Sequence, residues 1–303
     1  MKSNNEIYKL RNWIPCDKLD WDKLSSNPNA IQLLEKNPIK INWRYLSRNK
    51  NAIPLLEKYP ERIHRYWLSS NENAIPLLEK HPEKIDWFWL CYNSNAIPIL
   101  EKSPEKIKWA SLSFNPNAIP LFEKYPEKIV WIYLSANPNA IHLLEKNQDK
   151  IDWYNLSSNP NAIYLLENNL DKVNWNELSS NPNAIHLLEK YPKKINWVSL
   201  SLNPNAIHLL EKNMDKVNWY NLSRNPNAIP LLEKNLDKVN YERLSSNPSI
   251  FELDYQEMSI QRTRILLEEL MKKVLYPLRI QKIMDTYQID FEKVMDLFVV
   301  CNC

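Results

Sequence analysis

His142, His186 and His208 share one position of a repeating pattern, and Cys301 and Cys303 form a Cys-x-Cys pair. These residue types ligate zinc and other transition metals, but their spacing argues against a site. Adjacent copies of a short helical unit lie about 10 Å apart, whereas zinc ligands must all lie within ~2.3 Å of one ion. The His row reads as solvent-facing, and the Cys pair, with no His nearby, as free thiols. A Glu recurs from Glu35 to Glu233, and a basic row from Lys18 to Lys238, including Arg62, is equally regular. Interleaved surface rows, whose exposed pairs contribute little each, account for these better than paired carboxylates poised for acid–base work. No Ser-His-Asp arrangement stands out. No catalytic, cofactor-binding or metal-binding residue is assigned, and the chain is read as not an enzyme.

A second group of residues could do recognition. Tyr45, Tyr66, Trp67, Phe88, Trp89 and Tyr133 fall at the two variable positions after a recurring Trp, and Tyr92 and Phe114 fall just after the Leu-Ser pair (Leu-Cys before Tyr92). Later copies hold Asn155, Asn176, Glu177, Ser199 and Asn221 there. Facing outward, the aromatic residues would make a patch large enough to mark a partner site. Facing neighbouring copies, they would be packing that compensates for weak spots such as Arg65. Three copies in this stretch carry Lys50, Glu72 and Ser94 where the others have the Pro of Asn-Pro.

The element that must position these residues is a 22-residue unit. Trp21, Trp43, Trp87, Trp109, Trp131, Trp153, Trp175, Trp197 and Trp219 keep that period, with Arg65 in the one gap and Tyr241 closing the series. Such a period is the mark of a solenoid, in which each unit contacts mainly its neighbours. The frame predicts two short helices per unit. One starts at the Trp, behind an Asp or Asn N-cap in eight of eleven cases, and is 3₁₀ in part. The other runs through Ala-Ile-x-Leu-Leu-Glu-Lys, with the second Asn of Asn-Pro-Asn as its cap and proline tolerated in its first turn. The expected core is Ala30, Ile31, Leu34, Ile41, Trp43, Leu46 and their equivalents. Helices this short need stacking to survive.

Composition narrows the classes further. The 303 residues contain no glycine, which removes Gly-rich phosphate loops, dinucleotide fingerprints and Gly-flanked nucleophile elbows. Helix C-caps must use Asn in the left-handed region instead. Ten of the twelve alanines hold one repeat position, from Ala30 to Ala228, as a close packing contact would require. Net charge is +3, with 39 basic against 36 acidic residues, so no strong polyanion-binding field is expected. The polar N-terminus and the absence of long apolar stretches suggest neither a secretory leader nor a membrane span.

The expected architecture is all-α: a solenoid of about ten two-helix (α/3₁₀) repeats over 19–250, with an N-terminal cap over 1–18 and a C-terminal helical cap over 251–303. Ile7, Leu10, Trp13 and Ile14 have helical spacing suited to sealing the first unit. Leu266, Leu267, Leu270, Met271, Val274 and Leu275 mark an amphipathic helix, and Asp290 would cap a last one carrying Val294 and Leu297. Ten units would give an open rod or shallow superhelix of about 90–100 Å.

The frame Leu-Ser-x-Asn-Pro-Asn-Ala-Ile-x-Leu-Leu-Glu-Lys-x-Pro-x-Lys-Ile-Asp-Trp, over residues 13–251, closely resembles tandem repeats of many proteins of giant DNA viruses of the mimivirus-like group. The lead segment Arg11–Trp21 and Leu275-Tyr276-Pro277-Leu278-Arg279-Ile280 resemble the starts and ends of such arrays. More distantly, Leu-Ser-x-Asn-Pro and Leu-Leu-Glu are similar to leucine-rich variant repeats, which alternate an α-helix with a 3₁₀-helix in a right-handed superhelix. One member of that family holds a Cys-bound iron–sulfur cluster; this chain has no clustered Cys, so no cofactor is carried over. The resemblance implies fold and viral origin, not an activity.

The expected function is that of a monomeric, non-enzymatic scaffold binding a host or viral protein in the host cytoplasm, with neither nucleic acid nor membrane as partner. The alternative is a structural component of the virus particle, a spacer or rod.

Overall fold

Asp20, Asn42, Asp86, Asp152 and Asn196 stand in extended backbone just before the Trp position. The side-chain oxygen of each accepts the amide three residues on, at 2.8–3.3 Å. This N-cap starts an α-helix of four to six residues, such as Trp43–Leu46 and Trp153–Ser158. The 3₁₀ geometry expected inside the Trp helix lies elsewhere, in Pro-x-Lys turns such as Pro38–Lys40 and in Asn-Pro-Asn-Ala segments such as Pro28–Ala30. Proline suits the first position of these turns because the amide it lacks would have no partner there. The structure, a computed structural model, describes residues 6–274, 277–288 and 290. Leu275, Tyr276, Val294, Leu297, Cys301 and Cys303 lie outside them.

The second helix begins at the Ile, as in Ile31–Glu35 and Ile53–Lys58, behind Ala30 or Ala52 with no side-chain cap. The second Asn is therefore not its cap. The first Asn accepts the amide of the second (Asn29 N–H to Asn27 Oδ1, 3.1 Å), and the second reaches back one unit, as Asn51 does to the Pro28 carbonyl at 2.9 Å. Nor does Asn end helices in the left-handed region: among the described residues only Gln288 has positive φ. Asn37, Asn147 and Asn235 instead donate Nδ2 to the carbonyl four residues earlier, at 2.8–2.9 Å. Side-chain donation satisfies the orphan carbonyl without a glycine.

Leu24, Ala30, Leu34 and Leu46 are fully buried and Ile41 nearly so, while Ile31 and the whole Trp row are only half-buried. The basic row explains how an indole survives there. Lys40 lies 4.4 Å from the Trp21 ring centroid, and Lys106, Lys150, Lys172, Lys216 and Lys238 lie 4.7–4.9 Å from Trp87, Trp131, Trp153, Trp197 and Trp219. At these six positions the lysines cover the indoles through cation–π contact rather than interleaving with the Glu row, while Trp43, Trp109 and Trp175 meet the rings of Tyr59, Tyr125 and Tyr191. Trp153→Ala should cost about 3 kcal/mol, from ~120 Å² of buried indole at ~25 cal/mol/Å². An unchanged melting curve would overturn this packing.

Part of the buried core is polar. Asn27, Asn49 and each equivalent through Asn247 are buried. Each donates Nδ2 to two main-chain carbonyls of the preceding unit, one from its Ser row (Cys91 in one unit) and one from its Asn row, at 2.7–3.2 Å. Asn49 takes Ser25 and Asn27. Asn27 takes Ser245 and Asn247, at 3.0 Å each. The first unit thus treats the last as its predecessor.

Other contacts repeat that pattern. Asn29 donates to the Pro248 carbonyl at 3.1 Å, the Asp20 amide donates to Ser245 Oγ at 2.8 Å, and Lys18 lies 5.0 Å from the Tyr241 ring centroid. Their equivalents elsewhere are Asn51 to Pro28, Asn42 to Ser25, and Lys40 over Trp21. The array is therefore a ring of eleven units and not the expected open rod. Eleven units at about 9 Å give a midline diameter of about 30 Å.

The eleventh unit is composite. Tyr241–Ile250 supplies its first half and Cys16–Asp20 a second half that lacks the Ile helix, with Cys16–Lys18 making the 3₁₀ turn that Pro38–Lys40 makes in the next unit. Arg11 fastens the join: its amide donates to the Ile250 carbonyl at 3.0 Å, and its guanidinium to the Ser249 carbonyl at 2.9 Å and Glu252 at 3.1 Å. Strand β1 (Tyr8–Leu10) pairs with β2 (Phe251–Leu253). The helical spacing of Ile7, Leu10, Trp13 and Ile14 is therefore not a helix, and of the four only Ile14 is buried. An edge paired by a strand needs no helical cap.

Residues Leu10–Glu252 form one compact body. A second contains residues up to Lys9 and from Leu253 on. In it the Asp254 amide donates to the Ile7 carbonyl at 2.8 Å, and helices span Tyr255–Val274 and Pro277–Tyr287. Leu266, Leu267, Leu270 and Met271 are exposed there. Among the described residues, no helix is long and apolar enough to cross a membrane.

Candidate interaction surface

In each unit the Leu of the Trp helix and the Ser after it (Cys91 in one unit) are buried in the stack, which turns the two residues after the Trp and the residue after Leu-Ser outward or to the rim, buried Ser111 excepted. The Trp helices of several consecutive units, Trp153–Ser158 and Trp175–Ser180 among them, pack on one another more closely than consecutive Ile helices do, which points to the Trp helices as the concave side. Ser26, Arg48, Ser70 and Tyr92, equivalent residues of four successive units, accordingly line one cavity of about 240 Å³ with Lys50 and Ser94. One groove lined from four successive units fits a side on which the units converge.

Six of the eight candidate aromatic residues form a connected chain beside this cavity. Trp67 meets Trp89 at 5.1 Å between ring centroids, Trp89 meets Phe88 at 5.4 Å and Tyr92 at 5.7 Å, and Phe88 meets Tyr92 at 5.7 Å. Tyr92 stacks on Phe114 at 5.8 Å and 19°, and Phe114 meets Tyr133 at 5.1 Å. Phe88, Phe114 and Tyr133 remain 37–46% exposed, while Trp67, Trp89 and Tyr92 are half-buried. The rings thus pack across units and still present apolar surface to solvent.

The structure does not join Tyr45 and Tyr66 to this chain by ring contact. Tyr45 lies half-buried beneath Lys23, at 5.7 Å. Tyr66 is exposed, with the Arg65 guanidinium 4.8 Å from its ring and His64 at its edge, 5.3 Å away. Arg65 also pairs with Asp86 at 3.8 Å. The weak spot at Arg65 is met by these contacts, since Trp67 turns to Trp89 and to Arg48, whose guanidinium lies 5.2 Å from its ring. His64 stands where eight of the eleven units have an Asp or Asn and, like Lys108 and Val130, makes no cap. Burial first, then Arg44 and Arg65, hold its pKa below the ordinary histidine value.

Arg48, Lys50 and Ser94 were not among the sequence-derived site residues. The trace they leave in the sequence is the loss of Pro at Lys50, Glu72 and Ser94, three positions that the structure brings to one cavity. The His row is exposed, with His142, His186 and His208 each 2.8–3.3 Å from Glu123, Glu167 and Glu189 of the preceding unit. Cys91 replaces a buried Ser and accepts the Lys108 amide at 3.3 Å, and burial pushes its thiol pKa up. Among the described residues, no group of three His, Cys, Asp or Glu is placed to hold a metal ion. No family model, no curated protein and no solved structure matches this chain, which leaves the surface itself as the source of a functional assignment.

Proposed function

We propose that this chain is a non-enzymatic scaffold of viral origin that binds a protein partner in the host cell through the concave aromatic sector. The observation that carries the reading is the half-exposed chain of rings Trp67–Trp89–Tyr92–Phe114–Tyr133, with Phe88 at its side. Exposed apolar surface gathered at one place marks an interaction site, and aromatic anchors dominate binding energy where they are buried by a partner. A closed ring has no free end on which further units could stack, which supports a monomer and gives less support to the alternative of a spacer rod in the virus particle.

The double substitution Phe88→Ser/Trp89→Ser tests the reading. Recovery of a partner protein from infected cells should be lost, while the melting transition stays within a few degrees of the unsubstituted protein. Loss of the transition would show that the rings serve inter-unit packing. Full recovery with full stability would remove the surface from consideration. Abundance in purified particles without a captured partner would favour the virion role.

A further inference from the structure

Resting on the reading above, we infer that the concave cavity takes the carboxylate of an acidic side chain in an extended peptide, whose neighbouring apolar side chain lies on Trp89, Tyr92 and Phe114.

The charge count at the cavity selects the ligand. Arg48 and Lys50 supply two cations, and Lys50 is already matched by Glu72 at 3.5 Å. Arg48 has no carboxylate within ion-pair distance among the described residues; it is exposed, with its guanidinium 5.2 Å from the Trp67 ring centroid. A guanidinium held by an aromatic face keeps its edge donors free, and that edge fits a carboxylate bidentately. One uncompensated cation matches one negative charge. Ser70 Oγ donates to the Trp67 carbonyl at 3.0 Å, and Ser26 Oγ to the Lys23 carbonyl at 2.8 Å, so these wall hydroxyls offer acceptor lone pairs to the amides of the peptide and leave its carboxylate to Arg48. Outside the cavity, the two cations Arg44 and Lys23 of the preceding units outnumber the one carboxylate beside them, Asp22, while the rings beyond carry no charge.

The same geometry disfavours a nucleic acid strand. A tracked phosphate backbone needs a cation at each step, but the row continuing from Arg48 reads Ser70, Tyr92, Phe114, Ala136. The rings touch one another at 5.1–5.8 Å and tilt by about 38° at most of the contacts between units, so they form one corrugated surface without slots for stacked bases.

Selection from a random linear peptide library on the full-length protein tests this, with the same selection on Arg48→Met. Peptides recovered on the unsubstituted protein should carry Asp or Glu next to an aromatic or leucine residue. Replacing that acid by its amide should weaken binding about tenfold, as expected for a charged hydrogen bond lost from a desolvated site. On Arg48→Met the acid–amide difference should vanish, whereas Trp89→Ser should weaken both peptides equally. Recovery of peptides without acids, an acid–amide difference that survives Arg48→Met, or displacement of the peptide by an oligothymidylate at lower concentration would each overturn the inference. If Phe88→Ser/Trp89→Ser still abolishes partner capture in that event, the surface stands and only its ligand chemistry is wrong.

Discussion

Asn27→Ala should destabilise the protein as much as Asn137→Ala does, although one lies in the first unit and the other in mid-array. Each side chain donates to two buried carbonyls of the unit before it and accepts the amide of the Asn two residues on, Asn29 or Asn139. Alanine leaves those groups unpaired where water does not reach. A buried orphan group costs ~1–3 kcal/mol, and because some of these retain other partners the total should be about 2–4 kcal/mol. In an open array Asn27 would face no predecessor, and its loss would remove only the local turn bond, about 1 kcal/mol or less. Urea unfolding with unchanged slope gives the comparison directly. A near-neutral Asn27→Ala beside a costly Asn137→Ala would refute closure.

The second large effect is a distance. Asp22 and Glu242 are exposed and equivalent, one residue after the Trp position of the first and last units. Spin labels there should be separated by about one unit, ~10 Å between backbones, the same as labels at Asp22 and Arg44. An open array would set the first pair about 90–100 Å apart. Deleting residues 1–20 removes the second half of the composite unit together with Arg11, and should widen the separation by tens of ångströms while the interior units stay helical. Equal long distances in both proteins would restore the open rod.

Much of the unit was legible because its causes are local. Asp20 and Asn42 cap because a short side chain before a Trp helix reaches an amide three residues on. Leu24, Leu34 and Ala30 are buried as their spacing suggests. Sequence and structure part where a polar side chain spends its hydrogen bonds on another unit. The second Asn looked like a cap because its neighbour across the stack is invisible in one copy of the frame. Lys looked like a partner for Glu because the Trp it covers sits nineteen residues before it, as Lys40 does for Trp21.

The candidate surface divides in the same way. Eight aromatic positions could be named from the sequence, but that six of them touch in one chain depends on the stacking of successive Trp helices. Arg48 and Lys50 became site residues only through the concavity that brings four units to one cavity.

By itself, then, the amino-acid order determined the 22-residue unit, its helix starts and its Leu and Ala rows, because each follows from contacts within a few residues. Only the tertiary structure decided that the array closes. Closure requires each unit to turn by about 33° relative to the last, and that angle is the small difference in spacing between the inner Trp helices and the outer Ile helices, accumulated eleven times. No single residue carries such a difference. It emerges when Asn27 finds, on the last unit, the two carbonyls that every other Asn of its row finds on the unit before it.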